Sequence, residues 1–143
     1  MVISENEFVK IETGDCIIDC GACWGDTALL FASKCGKSGK VISFEFVPSN
    51  IDIFNLNMEL NPQLAEVVTL APFAVSDVDY EEIEFCDDGT STSIVIEKDN
   101  IRHKMKAQTI SVDEYVRCEK LERVDFIKMD IEGEEENAIK GAE

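Results

Sequence analysis

Three apolar runs in this chain close on an acid: Cys16-Ile17-Ile18-Asp19, Val41-Ile42-Ser43-Phe44-Glu45 and Val124-Asp125-Phe126-Ile127-Lys128-Met129-Asp130. Open α/β sheets take their ligands in a crevice outside the carboxyl ends of their strands, so the three carboxylates are expected to line one edge. Asp19 and Glu45 stand 26 residues apart, one strand-to-strand crossover, and can therefore face the same crevice. An acid after the second strand suits a ribose diol, because a carboxylate accepts two hydrogen bonds in parallel. The pair of acids points to a nucleoside-containing ligand.

The turn after Asp19 narrows the choice. A dinucleotide fingerprint reads G-x-G-x-x-G, its glycines letting backbone approach a pyrophosphate. Here the series from Gly21 is Gly-Ala-Cys-Trp-Gly-Asp, with Cys23 at the second glycine position and Asp26 at the third. A carboxylate at a helix N-terminus repels a pyrophosphate but tolerates a ligand carrying an ammonium and a sulfonium, and Asp19 can pair with an amino group directly or through water. A nicotinamide-dependent oxidoreductase remains an alternative, with the missing glycines against it. Cys20-Gly21-Ala22-Cys23 also matches C-x-x-C. With no second such pair and His103 the single histidine, it reads as part of the turn, and no metal site is expected. Trp24 is either a packing residue or a platform for the ligand.

The elements that must position these residues follow from the apolar pattern. Phe8–Glu12 reads as a lead-in strand and Cys16–Cys20 as one buried on both faces, in the manner of parallel sheets. Gly25–Cys35 reads as a helix stopped at Gly36 and Gly39. Val41–Glu45 is the second strand. A helix from Pro48, a favoured first helical residue, runs to Leu60. It carries two apolar stripes, Ile51, Phe54, Met58 and Ile53, Leu56, Leu60, and ends at Asn61-Pro62. Val67–Leu70 and the stretch Phe73-Ala74 complete a β-α-β-α-β order. Glu82–Cys86 and Ser91–Ile96 alternate around Asp87-Asp88-Gly89 as a β-hairpin, and Lys106–Ile110 adds an extended segment. Ser111-Val112-Asp113-Glu114 is a capping box opening a helix to Cys118. Val124–Asp130 reads as a buried strand, Ile131-Glu132-Gly133 as a turn, and Glu134–Gly141 as a helix whose leading acids and Lys140 agree with its dipole. The expected fold is α/β, a mostly parallel Rossmann-like sheet with helices on both faces and a β-hairpin insertion, in a single domain over residues 1–143.

Composition sets outer bounds. The chain has 143 residues, 45% hydrophobic and 30% charged, which suits one folded domain. Its net charge of −17 opposes nucleic acid and anionic membrane surfaces. The one basic concentration, Arg102, His103, Lys104 and Lys106, reads as a solvated loop. No run reaches the ~20 apolar residues of a membrane span, and Met1–Glu7 lacks the pattern of a secretory signal, so a cytoplasmic protein is expected.

Taken in order, Asp19-Cys20-Gly21-Ala22 with Gly25-Asp26-Thr27, Phe44-Glu45 with Pro48 and Asn50, Ala74-Val75-Ser76-Asp77, and Lys128-Met129-Asp130-Ile131-Glu132-Gly133-Glu134-Glu135 resemble the FkbM-type methyltransferases. These are class I, S-adenosylmethionine-dependent enzymes. The resemblance spans Val9 to Glu143 and ends on Lys140-Gly141-Ala142. It implies Asp19, Gly21, Ala22 and Cys23 around the methionine part of S-adenosyl-L-methionine, with Gly25 and Thr27 in the same cofactor turn. It implies Glu45 on the ribose hydroxyls, Phe46 near the adenosine, and Ala74, Ser76 and Asp77 near the adenine. Asp130 and Glu132 would sit beside the transferring methyl, as candidate catalytic residues. The chain departs at Cys23, usually Asn, and at Phe46, usually Pro.

Family domains continue past the last helix with further strands, so the sheet is expected to be truncated at its C-terminus. An uncovered edge at Val124–Asp130 is then expected to draw a second copy into a homodimer. The activity implied is methyl transfer to an oxygen of a small molecule or sugar, with Asp130 or Glu132 as general base. A non-catalytic or partner-dependent cofactor-binding module is the other alternative. Each residue also has a plainer reading: Asp19 as a helix cap, Glu45 as a solvated strand end, Asp130 and Glu132 as holders of the turn, and His103 as a surface residue.

Overall fold

The computed structural model describes residues 10–86, 93–94 and 104–142. Near-continuous apolar runs become four parallel strands. β1 (Cys16–Cys20) lies between β2 (Lys40–Phe44) and β8 (Phe126–Met129), and β3 (Val68–Ala71) lies outside β2, giving the order β3-β2-β1-β8. Helices cover both faces, as expected. On one face α1 (Asp26–Cys35), α2 (Pro48–Leu60) and α3 (Pro62–Ala65) pack Ala28, Phe31, Ala32 and Phe54 over Ile17 and Val41. On the other, α4 (Val112–Glu119) and α5 (Glu135–Lys140) set Val112, Tyr115 and Ala138 over Ile18, Ile42 and Phe44. The Tyr115 ring meets Phe44 edge-on, with centroids 4.8 Å apart.

The expected hairpin belongs to something larger. β4 (Ala74–Val75), β5 (Glu82–Cys86), β6 (Ser93–Ile94) and β7 (Lys104–Ile110) form a second four-stranded sheet in the order β4-β7-β5-β6. β5 pairs antiparallel with both β6 and β7, while β4 joins β7 in parallel. The segment Asp87-Asp88-Gly89, most of Ser91–Ile96, and Arg102 with His103 lie outside the described residues.

Three expectations are corrected and one is extended. Residues 10–12 form no strand, because Glu12 N–H donates to Asp15 Oδ2 (2.7 Å) and Asp15 N–H to Glu12 O, folding the chain into a turn instead. Phe8 and Val9 lie outside the described residues. Asn61-Pro62 ends α2 but also opens α3, Pro62 serving as a first helical residue. The second stripe of α2 does not pack: Ile53, Leu56 and Leu60 are exposed. β8 lies at the edge of the described sheet, as expected, but is not the buried strand its apolar run suggests: Ile127 is 38% exposed.

Candidate functional site

The carboxyl edge of the parallel sheet is built by register. β1 pairs Cys20 with Phe44 on one side and with Met129 on the other. One residue further on, Gly21 is flanked by Glu45 and by Asp130. The ladder continues into this row: Gly21 N–H donates to Phe44 O (3.0 Å), Asp130 N–H to Cys20 O (3.1 Å) and Glu45 N–H to Ala71 O (3.2 Å). With strands ~4.8 Å apart, the backbones of Glu45 and Asp130 stand about 10 Å from each other across Gly21.

Gly21 is required there twice over. Its φ of +79° is left-handed, and a Cβ would lie 2.1 Å from Asp130 O. The same holds at Gly25, the N-cap of α1, where φ is +80° and a Cβ would lie 2.7 Å from the Phe54 ring. Between them Gly21 and Ala22 N–H both donate to Phe44 O, and Gly25 N–H donates to Ala22 O. Asn57 on α2 holds Trp24 O (2.8 Å), while Trp24 itself is 43% exposed and so is not a core residue. Cys23 adopts φ 49°. Burial pushes the thiols of both Cys20 and Cys23 up, Cys20 to about 12, so neither is a thiolate at neutral pH.

Glu45 is buried and heavily bonded. Its Oε1 accepts Phe46 N–H and Val47 N–H, both at 2.8 Å, and its Oε2 accepts Asn50 Nδ2 at 3.2 Å. The Cys23 backbone N–H also faces the carboxylate. Burial raises its pKa and these four donors oppose the rise. Glu45 is thus no solvated strand end: it ties the start of α2 to the glycine turn. Phe46, half-buried, stacks edge-on against Phe85 of β5 at 4.9 Å, which brings the second sheet to the Glu45 side of the edge.

Asp19 lies elsewhere than expected. It pairs in register with Ser43 and Lys128, two residues in from the edge, and strand alternation turns its side chain toward the α1 face. It is fully buried, with Oδ1 3.0 Å from Lys128 Nζ. Burial pushes its carboxyl up, against the pull of Lys128. It does not cap α1, whose N-cap Gly25 has no side-chain bond.

Asp130 and Glu132 are both exposed, and among the described residues neither carboxylate accepts a hydrogen bond. Glu132 sits at φ 55° in a turn held by another residue: Glu135 accepts Ile131 N–H on Oε1 and Gly133 N–H on Oε2, each at 3.0 Å. Ala22 is buried and Thr27 half-buried in the first turn of α1. Ala74 is buried at β4, while Ser76 and Asp77 lie against Gly141 and Ser111, with Ser76 N–H on Ile110 O. The structure therefore brings Gly21, Cys23, Glu45, Phe46 and Asp130 to one edge, and sets Ser76 and Asp77 beside α4 and α5. Lys128 and Glu135, both engaged with turns at this edge, carry no expectation from sequence. The signal for Lys128 was its charge inside an otherwise apolar strand, and for Glu135 its place two residues past a glycine turn.

A parallel α/β sheet whose first strand ends in a glycine turn, with an acid on each neighbouring strand end, belongs to the class of open α/β folds that take ligands at the carboxyl edge of the sheet. Residues 19–143 match the family described as the Methyltransferase FkbM domain, and the chain belongs to that family. A search of the curated proteins gives no match. Among solved structures, the crystal structure of Methyltransferase FkbM from Methylobacillus flagellatus KT superposes with a TM-score of 0.66 at 18% identity, covering 99% of this chain. The chain spans 32% of that protein's length. A putative rRNA-methylase from Clostridium thermocellum (TM-score 0.42, 26% identity, 46% of this chain and 34% of that one) is more distant. So is fibrillarin from Aeropyrum pernix with natively bound S-adenosyl-L-methionine (0.40, 18%, 46% and 27%). Among the described residues no helix is long and apolar enough to cross a membrane.

Proposed function

We propose that this chain binds S-adenosyl-L-methionine at the Glu45–Gly21–Asp130 edge and takes part in methyl transfer to an oxygen of a small molecule or sugar. The observation that carries the reading is the bare Gly21 backbone, closed to any side chain by Asp130 O and flanked by two strand-end acids. S-adenosyl-L-methionine supplies a methyl carbon made electrophilic by a cationic sulfur. The residues' work is then alignment, holding donor and acceptor within about 3–3.5 Å.

Glu45 takes the ribose side. Three donors already bond its carboxylate, so a ribose hydroxyl competes with them, and the Asn50 bond, at 3.2 Å, is the longest of the three. Phe46 offers its ring to the adenosine. Asp130, exposed on the far side of Gly21, is the better placed general base, taking the acceptor hydroxyl's proton as the methyl is transferred; Glu132 stands two residues on in the same turn.

Mass spectrometry of ligand retained by the purified protein tests the cofactor, with S-adenosylhomocysteine expected. Calorimetry with S-adenosyl-L-methionine, S-adenosylhomocysteine and NADH extends it. Binding of NADH alone would overturn the reading in favour of a nicotinamide site. Binding of the sulfonium ligand without turnover on any hydroxylated acceptor would leave a cofactor-binding module.

A further inference from the structure

Lys128 is a buried cation at this edge that the reaction does not use. Its side chain is 11% exposed in a strand otherwise formed by Phe126, Ile127 and Met129. Burying an ammonium costs several kcal/mol unless oxygens replace its water. Three do: Gly21 O at 2.8 Å, Asp19 Oδ1 at 3.0 Å and Cys20 O at 3.5 Å. Both carbonyls belong to the end of β1 and its glycine turn, and Asp19 lies directly beneath them. Among the described residues neither oxygen of Asp19 accepts a hydrogen bond of good geometry, so its contact with Lys128 is an ion pair, and the hydroxyl of its register neighbour Ser43 is likewise buried without a partner. The fully buried carboxylate has the Lys128 ammonium as its counter-ion.

We infer that Asp19, Gly21 O and Cys20 O form an ammonium pocket filled by the chain's own Lys128, and that Lys128 is a positioning residue holding the Gly21 turn in the shape that receives the adenosyl ligand. The inference rests on the proposed reading of the edge as that ligand's site. It also reassigns Asp19: the cation it faces is Lys128 and not the amino group of a ligand. The Gly21 carbonyl is pulled toward β8, so Gly21 and Ala22 N–H stay aimed at Phe44 O and the turn keeps its left-handed start.

The test is Lys128→Ala, with n-propylammonium as the probe because it replaces the atoms removed. S-adenosylhomocysteine affinity is expected to fall at least about tenfold, since a small misplacement of positioning backbone carries losses of this size and more. n-Propylammonium is expected to restore part of the affinity, and n-propanol none. Unchanged or tighter binding by the variant, or equal rescue by the alcohol, would overturn the inference. Should Lys128→Ala fail to fold, the double variant Asp19→Asn, Lys128→Met removes both charges together. Faster amide exchange at Gly21, Ala22 and Gly25 is then expected, and exchange as slow as in the parent chain would overturn the inference. Amide exchange needs no ligand. A parent chain that ignores S-adenosylhomocysteine while its Lys128 variant loosens this turn would sink the proposed function and leave the clasp standing.

Discussion

Gly21 is the residue on which the edge is most finely built, because Asp130 O occupies the space where any side chain would begin. Gly21→Ala must both hold a disfavoured φ and part β1 from β8. We expect a loss of about 1–3 kcal/mol in unfolding free energy, read by urea titration, together with loss of S-adenosylhomocysteine binding by calorimetry. Glu45 gives a pH signature. Its ordinary value is 4.5 and burial raises it in the folded chain, so the folded state holds its proton longer than the unfolded state does. Its contribution to stability is full below pH 4.5 and is lost as pH rises through the folded value. Glu45→Gln removes this slope. The difference in melting temperature between parent and variant is expected to shift against the parent as pH climbs from 4 toward neutrality, and parallel curves would refute it. Glu114 works the other way: Arg117 first, then Tyr80 and Cys118, hold its carboxyl down to about 2, so that contribution is lost only as pH falls below its ordinary value of 4.5.

At the scale of elements, α4 shows a motif half as written. Ser111 Oγ accepts Glu114 N–H (3.1 Å), as a capping box requires. Glu114 does not return the bond. Its carboxylate is drawn outward by Arg117 and Tyr80, and Asp79 from before β5 accepts Ser111 N–H instead at 2.7 Å. Ser111→Ala and Asp79→Ala are each expected to cost about 1 kcal/mol in urea unfolding, whereas removing the carboxylate of Glu114 leaves the Ser111 cap in place. The same contrast explains what could be read from the chain alone. α2 was legible to the residue, since Pro48 and Asn61-Pro62 punctuate it locally. β1, β2 and β3 were legible within one residue from their apolar runs. The exposure of β8 was not, because its composition is that of an inner strand even though its place at an edge was expected. Nor was the role of Asp19: its place at the end of an apolar run is visible, but the face it points to depends on where β1 stops, and its partner comes from 109 residues later. The search for acids found Glu45 and Asp130 and passed over the lysine between two apolar neighbours.

At a net charge of −17, the described residues include apolar side chains exposed on two separate elements, β8 and α2. One is the β8 edge with Ile127; the other is the α2 stripe of Ile53, Leu56 and Leu60. Among the described residues β8 is paired on one side alone, and we propose that copies of this chain associate through that side. Sedimentation velocity should show association that strengthens with added salt, as screening weakens repulsion between like-charged copies. Ile127→Lys is expected to abolish it and Leu56→Lys to leave it intact. The reverse result would move the contact to α2.

The clasp between Gly21 O and Lys128 Nζ joins positions 107 residues apart. A chain leaving the ribosome has β1, its glycine turn and α1 early, yet β1 must wait for β8 before its far side is paired. Synthesis adds about 5–20 residues per second. For several seconds the emerging polypeptide therefore carries a glycine turn with one wall and no floor, and on the proposed reading the adenosyl ligand can act as a folding aid only after Lys128 has cleared the exit tunnel.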